Sequence, residues 1–234
     1  MIGYFTHNNV SQSVMKVFKR AGYEVRDIGK FDPSKPAIFY GILRGTGAAM
    51  RVCQAIGQDF YYVDNGYYDA VYMDVHKRKD MTGKYRVVKN DMAEVYTGPV
   101  DIIPAKPGMS VLLLPPSPYT AFMYDTTPED WNFKWVTKLG KLGYKVEIRG
   151  KDVQTPLQEN IKRHDAVFAF NSMSVMTAID MGRMAYDTHG ILRNSDLLER
   201  GEATIFDIEA VKNFYADKNF TLSEIAEGKV CLSL

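Results

Sequence analysis

The sequence predicts an α/β protein built as two Rossmann-like lobes facing a central cleft, and three observations predict it. Short apolar runs alternate with amphipathic stretches along nearly the whole chain, the pattern of parallel strands covered by helices. A length of 234 residues suits two such lobes, each of roughly 100 residues with its own core. Near the middle, Pro99, Pro104, Pro107 and Gly108 interrupt the alternation and divide 1–107 from 108–234. A single doubly wound sheet fits the same element order; the proline-rich break favours two lobes.

Taken in order, the first strand is expected over 2–6. A helix over 10–21 follows, because Val10, Val14, Val17, Phe18 and Ala21 recur at helical spacing on one face. Strands over 23–28 and 37–43, a helix over 46–56 and a strand over 59–63 complete a β-α-β-β-α-β series. The stretch 66–107 is less regular. A buried strand over 111–114 then reopens the alternation. Thr127-Pro128-Glu129-Asp130 supplies a cap, a proline at the first helical position and an acid in the first turn. The helix they open runs to residue 142 with Trp131, Trp135, Val136, Leu139 and Leu142 as its apolar face. After a strand over 145–149, Thr155-Pro156-Leu157-Gln158 repeats that start signal for a helix ending near His164. A strand over 166–170, a helix over 174–181 and a strand over 184–186 finish the second half. The tail holds helices over 208–216 and, from the capping box Thr221-Leu222-Ser223-Glu224, over 222–227.

Composition removes several classes of function. With 29 Lys+Arg against 28 Asp+Glu, a net charge of +1 excludes a strongly cationic nucleic-acid coat and an acidic tail protein, while leaving local patches open. Two cysteines, Cys53 and Cys231, exclude a disulfide scaffold and fit a reducing cytoplasm. The histidines His7, His76, His164 and His189 have no zinc-ligand spacing, so no metal is expected. No basic n-region precedes an apolar stretch at the start, and no run approaches the ~20 apolar residues that cross a bilayer. The expected setting is therefore the cytoplasm, that of the host if the chain is phage-encoded.

The strand over 166–170 runs into Asn171-Ser172-Met173-Ser174 and then a helix. This places backbone N–H groups and small hydroxyls at a positive helix end, which suits an anion such as a nucleotide diphosphate. The same pattern is also that of an ordinary helix cap. Arg149 and Lys151, at the end of the strand over 145–149, bring cations to the same edge, although a solvated basic turn reads alike. Arg44-Gly45-Thr46-Gly47 lets backbone approach a ligand, but it lacks the third glycine of a dinucleotide fingerprint and the Lys of a P-loop. An NAD-dependent oxidoreductase is disfavoured on that ground, and a hydrolase by the missing nucleophile elbow. Tyr61, Tyr62, Tyr67, Tyr68, Tyr72 and Tyr85 are interleaved with His76-Lys77-Arg78-Lys79, Lys84, Arg86 and Lys89. Aromatics among cations are what a phosphate-backbone and base-stacking surface needs, or equally a solvated loop whose tyrosines pack inward.

The order Pro115-Pro116-Ser117, helix, strand ending in Arg149-Gly150-Lys151, then Phe170-Asn171-Ser172-Met173-Ser174 and Ala178-Ile179-Asp180-Met181-Gly182 resembles the nucleotide-sugar lobe of GT-B-fold glycosyltransferases. The resemblance is to compact phage-type and capsule-biosynthesis-like members, and the stretches 39–45, 60–68 and 85–90 extend it into the first half. It implies an N-terminal acceptor lobe over 1–107 and a nucleotide-sugar lobe with C-terminal helices over 108–234. It also implies a metal-independent transfer from a donor such as a UDP-sugar, without a further cofactor. Donor contacts are then expected from Arg149, Lys151, Asn171, Ser172, Met173, Ser174, Ser117 and Glu209. Acceptor contacts are expected from Arg44, Gly45, Tyr67, Tyr68, Lys77, Arg78 and Arg86.

Such a transfer needs stabilisation of the leaving diphosphate and a base for the acceptor hydroxyl. Asp64 is the expected base, with His7 and Asp69 in reserve, although Asp64-Asn65-Gly66 is also an ordinary turn. The acceptor that the basic aromatic segment favours is a hydroxymethylated base in double-stranded phage DNA; a carbohydrate hydroxyl is the other. A non-catalytic nucleotide or nucleotide-sugar binding module is the competing class.

Overall fold

The computed structural model describes residues 1–68, 83–150, 153–230 and 232. The chain forms two α/β units, one comprising Met1–Met92 with Tyr215–Leu234 and the other Ala93–Phe214.

In the first unit, β1 (Ile2–Phe5), β2 (Glu24–Asp27), β3 (Ala37–Tyr40) and β4 (Phe60–Asn65) lie parallel, in the spatial order β2-β1-β3-β4. Helix α1 (Asn9–Arg20) crosses over from β1 to β2, and α2 (Thr46–Ile56) from β3 to β4. Asn8 caps α1 by accepting from the Val10 and Ser11 amides at 2.8 and 3.4 Å. Val14, Val17 and Phe18 of α1 are buried on the sheet face that carries Ile38, Tyr61 and Val63. Gly3 permits that approach, since a Cβ there would lie 3.0 Å from Met15 Sδ.

Two antiparallel strands then extend the sheet: β5 (Tyr85–Lys89) beside β4, and beyond it β12 (Asn219–Phe220) from the tail. The tail helix α9 (Leu222–Ala226) packs on the α1 face, its capping box formed between Thr221 and Glu224 as expected. Tyr215 stacks on Tyr67 at 3.8 Å, and the Asn219 side chain accepts from Tyr67 N and donates to Tyr68 O. These contacts move the tail into the first unit, whereas the sequence pattern assigned it to the second.

In the second unit, β7 (Ser110–Leu114), β8 (Lys145–Ile148), β9 (Ala166–Ala169) and β10 (Met184–Asp187) form a fully parallel sheet in the order β10-β9-β7-β8. After β7 come a short α3 (Pro118–Phe122) and the long α4 (Pro128–Lys141). Thr127 caps α4 by accepting from Asp130 N at 3.0 Å. Trp131, Trp135 and Leu139 bury against Val111, Leu113, Ala166 and Phe168 on one sheet face. Leu142, expected on that stripe, is 44% exposed because the helix ends before it. Helix α5 (Leu157–Lys162) starts at Pro156, and Thr155 makes no cap; its carbonyl instead accepts from Arg149 Nη2 at 2.8 Å. Helix α6 (Ser174–Asp180) joins β9 to β10. It buries Val175, Ala178 and Ile179, and it contacts both strands.

The expected boundary at 107/108 lies inside this second unit. Strand β6 (Asp101–Pro104) pairs antiparallel with β11 (Glu202–Ile205). Tyr96 donates its amide to Ile191 O, and its ring packs edge-on against Phe206 and Phe214. The prolines thus punctuate a ribbon rather than a linker. Helices α7 (Ser195–Glu199) and α8 (Ile208–Phe214) complete the unit. Among the described residues, no helix is long and apolar enough to cross a membrane.

Candidate functional site

An open parallel sheet binds ligands outside the carboxyl ends of its strands, where the strand order reverses. In the second unit the chain moves from β7 to β8 on one side and returns to β9 on the other, so the reversal lies between β7 and β9. The loops leaving those two strands carry Ser117 and Asn171-Ser172-Met173-Ser174. The topology therefore brings together donor residues expected from two separated segments. Arg149 follows β8, the strand beyond β7, and does not neighbour Asn171 as expected.

The turn after β9 is built by its own residues. Asn171 takes a left-handed conformation, φ 45°, that asparagine tolerates better than most side chains. Its Nδ2 donates to the Tyr124 hydroxyl at 2.9 Å and its backbone N–H donates to Asp187 Oδ1 at 2.8 Å. Ser172 Oγ accepts from Ser174 N at 3.2 Å, so the hydroxyl caps the turn from within. The expected row of open amides is in this way partly satisfied by the fold itself. Ser117 likewise caps α3, accepting from Thr120 N at 3.1 Å. Glu209 stands on α8 as an exposed partner of Lys212. Lys151 lies outside the described residues. Arg149 braces its own loop through Thr155 O; its Nε is buried and makes no hydrogen bond to any described residue.

Asp187, at the end of β10, was not singled out by the sequence. It is fully buried, and its Oδ1 accepts from the amides of Asn171 and His189 at 2.8 and 3.1 Å. Its Oδ2 makes no hydrogen bond to any described residue. Burial pushes this carboxyl up to about 7, against the opposing pull of the Asn171, His189, Gly190 and Ser172 amides. Because the folded value lies above the unfolded one, the contribution to stability is fully present below about pH 4. It is lost as pH rises to about 7, a change on the order of 4 kcal/mol. Urea unfolding between pH 4 and 8 checks this. Asp187→Asn should flatten the decline, and an unchanged slope in that variant would contradict the assignment.

In the first unit the strand order reverses between β1 and β3. The loops there carry His7 and the pair Arg44 and Gly45, and Arg44 Nη1 donates to His7 O at 3.3 Å. His7 is largely exposed and sits 3.5 Å from Asp27. Asp64, the expected base, ends β4 with both oxygens engaged. Oδ1 accepts from Asn65 N and Nδ2, while Oδ2 accepts from the Tyr62 hydroxyl and lies 3.5 Å from Arg86 Nη2. Each oxygen of this carboxylate is thus already supplied with a donor from within its own unit. The same surroundings act on the neighbouring phenols: burial, and secondarily the Asp64 charge, push Tyr85 up to about 12 and Tyr40 higher still.

The basic aromatic segment is narrower as an open surface than its composition implies. Tyr67 is 2% exposed with its face against Tyr215, so it presents no ring to a base. Arg86 is buried and donates to Asn65 O and Met92 O at 2.6 and 3.0 Å, which makes it a structural cation. Tyr68 keeps a partly exposed ring, with Lys84 5.3 Å from its centroid. Asp69, Tyr72, His76, Lys77, Arg78 and Lys79 lie outside the described residues. Among the described residues, no group of three or more His, Cys, Asp or Glu is arranged to hold a metal ion.

No protein-family model matches the chain, and no curated protein matches its sequence. Among solved structures, the chain is similar to Thermosulfurimonas dismutans KpsC, described as a beta Kdo 2,4 transferase, with a TM-score of 0.42 and 11% identity over 97% of each chain. A periplasmic sugar-binding protein from Pseudomonas fluorescens aligns with a TM-score of 0.26 and 13% identity, over 78% of this chain and 65% of that one.

Proposed function

We propose that the protein is a glycosyltransferase that takes a nucleotide-sugar donor, such as a UDP-sugar, at the strand-order reversal of the second unit. The observation that carries the reading is the meeting of the Ser117 loop and the Asn171–Ser172 turn at the ends of adjacent parallel strands. Arg149, one strand away, supports it with a buried Nε that a diphosphate oxygen would satisfy. In this reading the small hydroxyls of Ser117, Ser172 and Ser174 orient the donor, and Arg149 meets the charge that develops on the leaving diphosphate. In this reading the transfer proceeds without a metal.

The melting temperature in the presence of a panel of nucleotide sugars tests donor binding. One member should raise it, and Arg149→Ala should weaken that binding by about tenfold. If no nucleotide sugar shifts the melting temperature, the reading fails. A hydroxymethylated base in duplex DNA is the acceptor that the segment 76–89 would serve. DNA affinity that falls steeply with salt would support this limb, and weak, salt-insensitive binding would point to a carbohydrate hydroxyl.

A second reading, a nucleotide-sugar binding module without turnover, is favoured by the engaged state of Asp64. It predicts donor binding with no sugar transfer and indifference to Asp64→Asn.

A further inference from the structure

We propose that Asp187 is the positioning residue of the donor turn: its buried carboxyl, seated over Gly190, holds Asn171 and Ser172 in the shape that a ligand meets. Its consequence for a ligand rests on the donor-site reading above, whereas its geometry does not.

Asp187 ends β10, and Asn171 follows the adjacent strand β9. A single oxygen, Oδ1, accepts from the Asn171 amide across the two strands and from the His189 amide on its own loop. The amides of Ser172 and Gly190 also point their positive ends toward the carboxyl. One side chain thereby ties the loop after β9 to the loop after β10. Asn171 needs such a tie, because its left-handed backbone is costly for any residue with a Cβ. The tie also needs Gly190. A Cβ there would fall inside van der Waals contact of Asp187 Oδ2 and within 2.6 Å of Asn171 Cα, so only glycine lets the two loops close on the carboxyl. Asn194 fixes the far side by accepting from Asp187 N at 3.0 Å and donating to Ala185 O at 2.9 Å.

His189 stands on the same loop, and Tyr124 lies beyond Asn171, accepting from its Nδ2. The carboxyl's own hydrogen bonds go to backbone amides, and burial and those amides lead the causes of its shift. Its role is that of an acceptor of N–H groups, which an asparagine Oδ1 also fills. Rescue by that conservative substitution separates positioning from a need for charge.

The experiment uses the full chain in two arms. In the first, hydrogen exchange of the ligand-free protein is followed at the amides of Asn171 and His189. Both should be protected in the wild type and exchange at least about tenfold faster in Asp187→Ala, while Asp187→Asn stays close to the wild type. In the second, affinity for UDP is measured. It should fall by about tenfold in Asp187→Ala and recover in Asp187→Asn at an unchanged fold by circular dichroism. Exchange and affinity unaltered in Asp187→Ala would overturn the proposal. If that variant does not fold, unprotected Asn171 and His189 amides in the wild type overturn it, and protected ones with wild-type affinity in Asp187→Asn support it. If exchange behaves as expected but UDP does not bind the wild type, the tie stands and the donor reading falls. UDP binding without any exchange response gives the reverse result.

Discussion

Arg86→Met should destabilise the first unit by about 3 kcal/mol or more, the largest loss expected from any polar side chain there. The guanidinium is buried between β4 and its neighbour β5, directly opposite Asp64 in the ladder. It supplies Asn65 O at 2.6 Å, Met92 O at 3.0 Å and the Asp64 carboxylate at 3.5 Å. Methionine fills much of the same space but leaves these acceptors without that donor, and each buried acceptor left unpaired costs about 1–3 kcal/mol. Asp64 is partly exposed and retains the Tyr62 hydroxyl and the Asn65 amide, so Asp64→Asn should cost no more than about 1 kcal/mol. Urea unfolding of the two variants gives the ordering, and a smaller loss for Arg86→Met than for Asp64→Asn would refute the account.

Gly190→Ala should cost the second unit about 3 kcal/mol or more and abolish its response to nucleotides. The added methyl meets a carboxyl oxygen on one side and a backbone carbon on the other, and neither is the yielding end of a flexible side chain. Gly140→Ala is the matched control. That glycine lies within α4 with nothing near its missing Cβ, so alanine should stabilise the helix by about 0.5–1 kcal/mol. Melting temperatures moving in opposite directions are the expected outcome, and a neutral Gly190→Ala would show that the loops can separate without loss.

Much of the fold could be read from local chemistry. The α2 limits, the Thr127-Pro128 start of α4 and the Thr221–Glu224 box each depend on residues within a turn of one another, so a short window carries the whole signal. What escaped such a window was set by partners distant in the chain. Strand β5 is largely buried because β4 and β12 flank it. The ribbon of β6 and β11 joins segments about a hundred residues apart, so its prolines read as a linker until the pairing is known. The short α3 and α7 have no room to display a period.

The same division applies to the candidate site. The Asn171–Ser172 turn was visible because strand, small polar residues and helix are contiguous. Asp187 was not, since Asp187-Thr188-His189-Gly190 reads as an ordinary loop after a strand and its decisive partner follows another strand. The reading of Tyr67 and Arg86 as open contacts failed for a related reason: composition counts rings and charges but not that the tail residue Tyr215 covers Tyr67 or that Arg86 lies buried in β5 opposite Asp64.

The return of the tail to the first unit has a consequence for biosynthesis. The ribosome releases residues 1–92 long before Tyr215, Asn219 and α9 exist. At about 5–20 residues per second, the nascent first sheet waits on the order of ten seconds with β5 as an uncovered edge and the apolar face of α1 lacking part of its cover. The second unit, continuous in the chain, can close during that interval. A nascent chain whose second unit has emerged while the tail from Tyr215 is still in the exit tunnel should therefore present a protease-sensitive amino-terminal portion and a resistant inserted one, and the amino-terminal portion should gain resistance only after the tail has left the tunnel.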